Sequence, residues 1–124
     1  MNIAANILVA LVALLHLWFL VLEMFLWTRP LGLKTFRNTI EKAQSSATLA
    51  ANQGLYNGFL SAGLLWGLLT SPPAQAHSVK TFFLACVIVA GVYGAATFSR
   101  RIFFVQAVPA ILALGLLWLS GPSF

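Results

Sequence analysis

The sequence predicts an all-α integral membrane protein, a four-helix transmembrane bundle with both termini on the non-cytoplasmic side. Three observations predict it. The 124 residues are 60% hydrophobic and only 7% charged, with a mean hydropathy of +0.93. A soluble domain is roughly a quarter charged, because its surface faces water. The apolar residues gather into four runs, each suited to crossing a hydrocarbon core of about 30 Å at about 1.5 Å per residue. The seven Lys and Arg fall in the short gaps between those runs, leaving a very apolar soluble bundle no credible water-facing side. A chain of this length is one domain, residues 1–124.

The first run, residues 3–27, reads as a retained span rather than a cleaved signal. It lacks a basic leading region, carries Glu23, and leads into Thr28-Arg29-Pro30 instead of a small-residue cleavage site. The second, residues 49–70, ends at Ser71-Pro72-Pro73, which cannot continue a helix. Its helix is expected to start earlier, near Thr39, because Asn38 followed three residues later by Glu41 resembles a capping box. The third run, residues 81–98, stops at Ser99-Arg100-Arg101, and the fourth, residues 102–119, carries Pro109, which should kink it. In the first gap, Leu33, Phe36 and Ile40 share a helical spacing beside Lys34 and Arg37. That pattern fits either a surface-lying segment or a solvated connector.

Direction follows from the basic residues. Arg29, Lys34, Arg37 and Lys42 lie in the first gap and Arg100 and Arg101 in the third, against Lys80 alone in the second. Six against one places the first and third gaps in the cytoplasm. Trp27 then marks the inner boundary, with Trp66 and Trp118 near the outer one, as aromatic belts require. The net charge of +5 is thus a topology signal and a contact for anionic headgroups of membrane lipids. It forms no dense basic patch on a soluble face, so no nucleic-acid partner is expected.

Polar residues inside apolar spans carry the most information. A charged carboxylate there costs a few kcal/mol unless it finds a partner, a proton or water. Glu23 lies two helical turns after His16, so His16, Leu20, Glu23 and Trp27 form one stripe, with Glu23 about 10 Å nearer the cytoplasm than His16. The alternative is that Glu23 only pairs with a basic residue at the boundary. The second span supplies Asn52, Gln53, Tyr56 and Asn57, on an arc of about 140°. Unpaired amides are costly in hydrocarbon, so this arc is expected to face the bundle interior, either around a ligand or as a purely structural network. The other side carries Ala50, Gly54, Gly58 and Ala62 at four-residue spacing. Such a small-residue ridge lets another helix approach closely, within the chain or in a homo-oligomer. The third span adds Tyr93 and Thr97, and the fourth adds Gln106.

These groups all fall in the cytoplasmic half of their spans, which predicts a polar cavity opening inward and plugged outward, with His16 at its floor. The candidate ligand-binding set is Glu23, His16, Asn52, Gln53, Tyr56, Asn57, Tyr93, Thr97 and Gln106. The single cysteine, Cys86, excludes an internal disulfide, a redox pair and a thiolate cluster, and reads as a small buried hydrophobe. No metal-protease, phosphate-loop, nucleophile-elbow or haem motif is present, so no catalytic residue, metal or cofactor is assigned.

The opening span with His16-Leu17-Trp18-Phe19-Leu20-Val21-Leu22-Glu23, the string Ala50-Ala51-Asn52-Gln53-Gly54-Leu55-Tyr56-Asn57-Gly58, and the paired arginines carry a resemblance. Over nearly its whole length the chain resembles the small bacterial four-span proteins of the domain of unknown function 1304 family. The resemblance implies a bacterial inner-membrane location and supplies no reaction. From the residues, binding or carrying a small ligand or ion is expected first, with a structural or assembly role and catalysis on an amphipathic lipid-like substrate as the alternatives. In the first, Glu23 binds a proton or cation, His16 relays charge and the amides orient the ligand.

Overall fold

The computed structural model describes residues 3–97 and 99–121; Phe98 and the chain ends, including Pro122 and Phe124, lie outside the described residues. The described chain is helical: α1 (Ile3–Met24), α2 (Pro30–Phe36), α3 (Ile40–Leu69), α4 (Pro73–Thr97), α5 (Arg100–Ile102), a π-helical turn (Phe103–Ala107) and α6 (Val108–Ser120). Three segments are long and apolar enough to cross a membrane: Ile3–Met24, Pro73–Thr97 and Phe103–Ser120. α3 has 30 residues and ample length, but Asn52, Gln53 and Asn57 lower its apolar content below theirs.

The boundaries depart from the sequence reading at three places. α1 ends at Met24, where the N–H groups of Phe25 and Leu26 both reach back to the Val21 carbonyl. Trp27 therefore leaves the stripe of His16 and Glu23. It packs on the connector instead, its ring 5.0 Å from that of Phe36 and its Nε1 donating to Ser46 Oγ at 3.2 Å. α3 is capped by Thr39 rather than Asn38, with Thr39 Oγ1 accepting from the Lys42 N–H at 3.3 Å. α4 starts eight residues before the expected Thr81, because Pro73 suits a first helical turn, whose N–H has no helical partner anyway. Lys80 thus lies inside a helix and not in a gap.

The connector is itself a helix. α2 starts at a proline and ends at Arg37, whose left-handed backbone (φ 51°) turns the chain into α3. Leu33 and Phe36 lie in α2 and are half-buried, whereas Ile40 is exposed at the start of α3, so the left-handed turn at Arg37 interrupts the helical spacing the three share. Ahead of Pro109, which lacks the N–H that would bond back four residues, the helix widens into the π-helical turn of Phe103–Ala107. The anticipated distortion is therefore a local change of hydrogen-bond register before α6.

The chain divides into two compact units, one of residues 14–61 and one of residues 1–13 with 62–124. In the second, α4 packs on the π-helical turn and α6. Gly91 makes this contact possible, since a Cβ there would lie 2.7 Å from Ala107 Cβ and 2.9 Å from its backbone nitrogen. Leu84, Val87, Ala107, Ala110 and Ala113 are fully buried in it. In the 14–61 unit, His16, Leu22 and Ala43 are fully buried.

Candidate functional site

In the 14–61 unit, small residues decide where α3 meets α1. At Gly54, a Cβ would lie 2.7 Å from Met24 Cγ, 3.1 Å from Glu23 Cβ and 3.3 Å from the Leu20 carbonyl oxygen. At Gly58 it would meet only the tip of Leu20, at 2.6 Å. Ala50 is buried and Ala62 is exposed, so the close-approach ridge ends at Gly58. With α3 held this near, Asn57, between the two glycines, donates from Nδ2 to Glu23 Oε1.

This pair is the centre of the site. Asn57 is the only hydrogen-bond partner of the Glu23 carboxylate among the described residues. Glu23 is half-buried, and among the described residues no buried side-chain nitrogen or oxygen is left unpaired. Among the described residues Oε2 therefore has no donor, and it is not sealed inside the protein. A carboxylate with one oxygen fixed by an amide and the other open can hold a proton, a cation or a polar donor.

The remaining sequence-predicted residues are distributed as follows. His16 is fully buried seven residues along α1 from Glu23, its ring edge-on to Phe19 at 5.3 Å. Asn52, Gln53 and Tyr56 are exposed, and Asn52 Nδ2 lies 3.4 Å from the Tyr56 hydroxyl. Asn52 and Tyr56 occupy the opposite edge of the arc from Asn57, and Gln53 stands between them and Asn57. Tyr93, Thr97 and Gln106 belong to the second unit. There Tyr93 and Thr97 are exposed, Thr97 Oγ1 bonds its own helix at the Tyr93 carbonyl, and Gln106 is half-buried in the π-helical turn. Tyr93 also edges a shallow apolar groove on α4, of about 510 Å³, whose other lining residues are Phe82, Ala85, Cys86, Val89 and Ala90. Cys86 is thus half-buried rather than fully enclosed.

Sequence reasoning missed one polar cluster. His77 and Lys80 are buried in α4, beside Thr81 of the same helix, Trp118 of α6 and Asn6 of α1. The signal was present: His77, Lys80 and Thr81 stand at i, i+3 and i+4, one helical face. It became readable only once Pro73 was known to open the helix. No group of three or more His, Cys, Asp or Glu able to hold a metal occurs among the described residues.

The family described as a protein of unknown function, DUF1304, matches residues 10–118, a stretch that includes Glu23, Asn57 and the paired arginines. The chain belongs to the DUF1304 family. It is 34% identical over 116 residues to the uncharacterized protein YpaA of Lactococcus lactis subsp. lactis (strain IL1403), covering 92% of this chain and 96% of that one. No solved structure matches it.

Proposed function

We propose that this DUF1304 protein is a multi-pass inner-membrane protein that binds, and in the membrane carries, a small ligand or ion at Glu23. The observation supporting this reading is the Glu23 carboxylate itself, with Oε1 fixed by Asn57 and Oε2 open. An acidic residue in a span is costly, and it is usually kept where it meets a substrate, a proton or an ion. The negative charge favours a proton or a cation, with the Asn57 amide fixing the carboxylate's orientation. α3 supplies the fourth span in this reading; at about 1.5 Å per residue its 30 residues exceed the membrane core even though its amides make it less apolar. The ligand enters from the cytoplasmic side, where Arg29, Lys34 and Arg37 lie close to Glu23 in sequence.

A screen of the purified protein for stabilisation by monovalent and small organic cations tests the binding. A ligand at 100 times its Kd stabilises a protein by about 2.7 kcal/mol, a readily measured rise in melting temperature. A flat response to every cation at all tested pH values would contradict the proposal. The orientation is tested separately. A reporter that is active only in the cytoplasm, fused after Phe124, is expected to be silent, and a periplasm-active one to work. The reverse result would overturn the six-to-one basic asymmetry as the guide to topology.

A second reading rests on the exposed side of α3. Asn52, Gln53 and Tyr56 are exposed in the single chain, where lipid would leave most of their donors and acceptors unpaired beyond the contact of Asn52 with Tyr56. Gly54 and Gly58 are already occupied by Leu20, Glu23 and Met24. Association of two copies through the amide face would therefore satisfy these groups without disturbing the Glu23 site.

A further inference from the structure

The feature least accounted for by the Glu23 site is a lysine inside a membrane helix. Lys80 is 8% exposed and stands seven residues, about 10 Å, from the start of α4 at Pro73. α4 has 25 residues, about 37 Å, so it outreaches a hydrocarbon core of about 30 Å. The long stem of Lys80 can therefore carry its charge to the level where acyl chains meet headgroups.

The surroundings hold that charge in place but do not neutralise it. The stem lies over Gly67 of α3, where a Cβ would come within 2.6 Å of Lys80 Cγ. Lys80 Nζ donates to Asn6 Oδ1 at 2.8 Å, its one hydrogen bond to the described residues, leaving two N–H groups to donate. His77 Nε2 lies 3.3 Å from the Leu117 carbonyl, and since a carbonyl only accepts, that nitrogen carries the hydrogen. The Trp118 indole donates to Thr81 Oγ1 at 3.0 Å, so the Thr81 hydroxyl keeps its own hydrogen for another acceptor. The His77 and Trp118 rings pack edge to face with centroids 4.7 Å apart, joining α4 to α6 beside Thr81. His77 and Trp118 use their ring N–H groups within the protein, so the donors left over are two N–H groups of Lys80 and the hydroxyl of Thr81, the next residue of α4. The chain's two acidic side chains, Glu23 and Glu41, both belong to the other unit.

We propose that Lys80 and Thr81, with Asn6 holding the ammonium in position, form an oxyanion site that takes the phosphate group of an anionic membrane lipid. Free phosphate shares the chemistry, but the depth of Lys80 at the boundary favours the lipid as its source. The site is independent of Glu23 and stands or falls separately.

The test is native mass spectrometry of the purified full chain equilibrated with phosphatidylglycerol or phosphatidylcholine. The wild-type protein is expected to retain phosphatidylglycerol preferentially. Lys80→Gln, which removes the charge and leaves a polar side chain one atom shorter, is expected to weaken retention by roughly tenfold or more, as loss of a charged hydrogen bond implies. Thr81→Val should weaken it roughly threefold, and it carries the test if Lys80→Gln fails to fold. Ser78→Ala, at an exposed neighbour in α4 whose hydroxyl bonds the Ala74 carbonyl of its own helix, should leave it within about twofold. Displacement of the lipid by inorganic phosphate would assign the same site to the soluble anion. Folded Lys80→Gln and Thr81→Val proteins that retain phosphatidylglycerol as the wild type does would overturn the proposal and leave Lys80 a structural strut to Asn6.

Discussion

Replacing Gly54 with leucine is expected to destabilise the protein by about 3 kcal/mol, the upper part of the range for overpacking a close contact. The reason is specific. Even the first added carbon would stand 3.3 Å from the Leu20 backbone oxygen and 3.1 Å from Glu23 Cβ, and the α1 backbone cannot swing aside as a side-chain tip can. Gly58 provides the contrast. A Cβ there meets only Leu20 Cδ1, the end of a flexible side chain. Gly58→Ala should therefore be nearly neutral, the relief of strain by a Leu20 rotamer being offset by alanine's advantage over glycine of about 1 kcal/mol in a helix. Gly54→Ala should be destabilised relative to Gly58→Ala by about 1 kcal/mol. Unfolding in mixed detergent and denaturant measures both. Equal stability of the two alanine variants would mean that α1 and α3 do not meet at Gly54 as described.

Asn57→Ala and Glu23→Gln should separate in the same assay. Removing Asn57 leaves a half-buried carboxylate without its one protein donor and should cost about 1–2 kcal/mol, in line with hydrogen bonds to charged groups and with measured interhelical bonds in membranes. Glu23→Gln keeps the size of the side chain and an oxygen that accepts from Asn57, while removing a charge that is expensive at this depth. It should be neutral or slightly stabilising. If Glu23→Gln were instead the more damaging change, the carboxylate's charge would be part of the fold and the site would lose its functional reading.

The helical class and the apolar segments were legible because burial in lipid leaves a composition signal that needs no knowledge of packing. The pairing of α1 with α3 was legible in part. Gly54 and Gly58 announced a close contact at four-residue spacing, and Glu23 announced a need for a partner. The arc of Asn52, Gln53, Tyr56 and Asn57 was read as one interior face, yet an arc of about 140° is wider than one neighbouring helix covers. Asn57 adjoins the glycine ridge and meets α1, whereas Asn52 and Tyr56 at the far edge are exposed. Trp27 shared the helical register of Glu23 on paper. The bonds of Phe25 and Leu26 back to Val21 end the helix first, and no residue type at that point signals it. Lys80 was hidden by Pro72-Pro73, since prolines that end one helix also suit the start of the next.

The central claim is that Glu23 is kept for what it binds. The most direct measurement places wild type and Glu23→Gln side by side in the cation-stabilisation screen, with both proteins first shown to be folded. The wild type is predicted to gain stability from at least one cation or from a change in proton concentration, and the variant to gain none from the same addition. A folded Glu23→Gln protein stabilised by the same cation, at the same concentration and to the same extent as the wild type, would contradict the account.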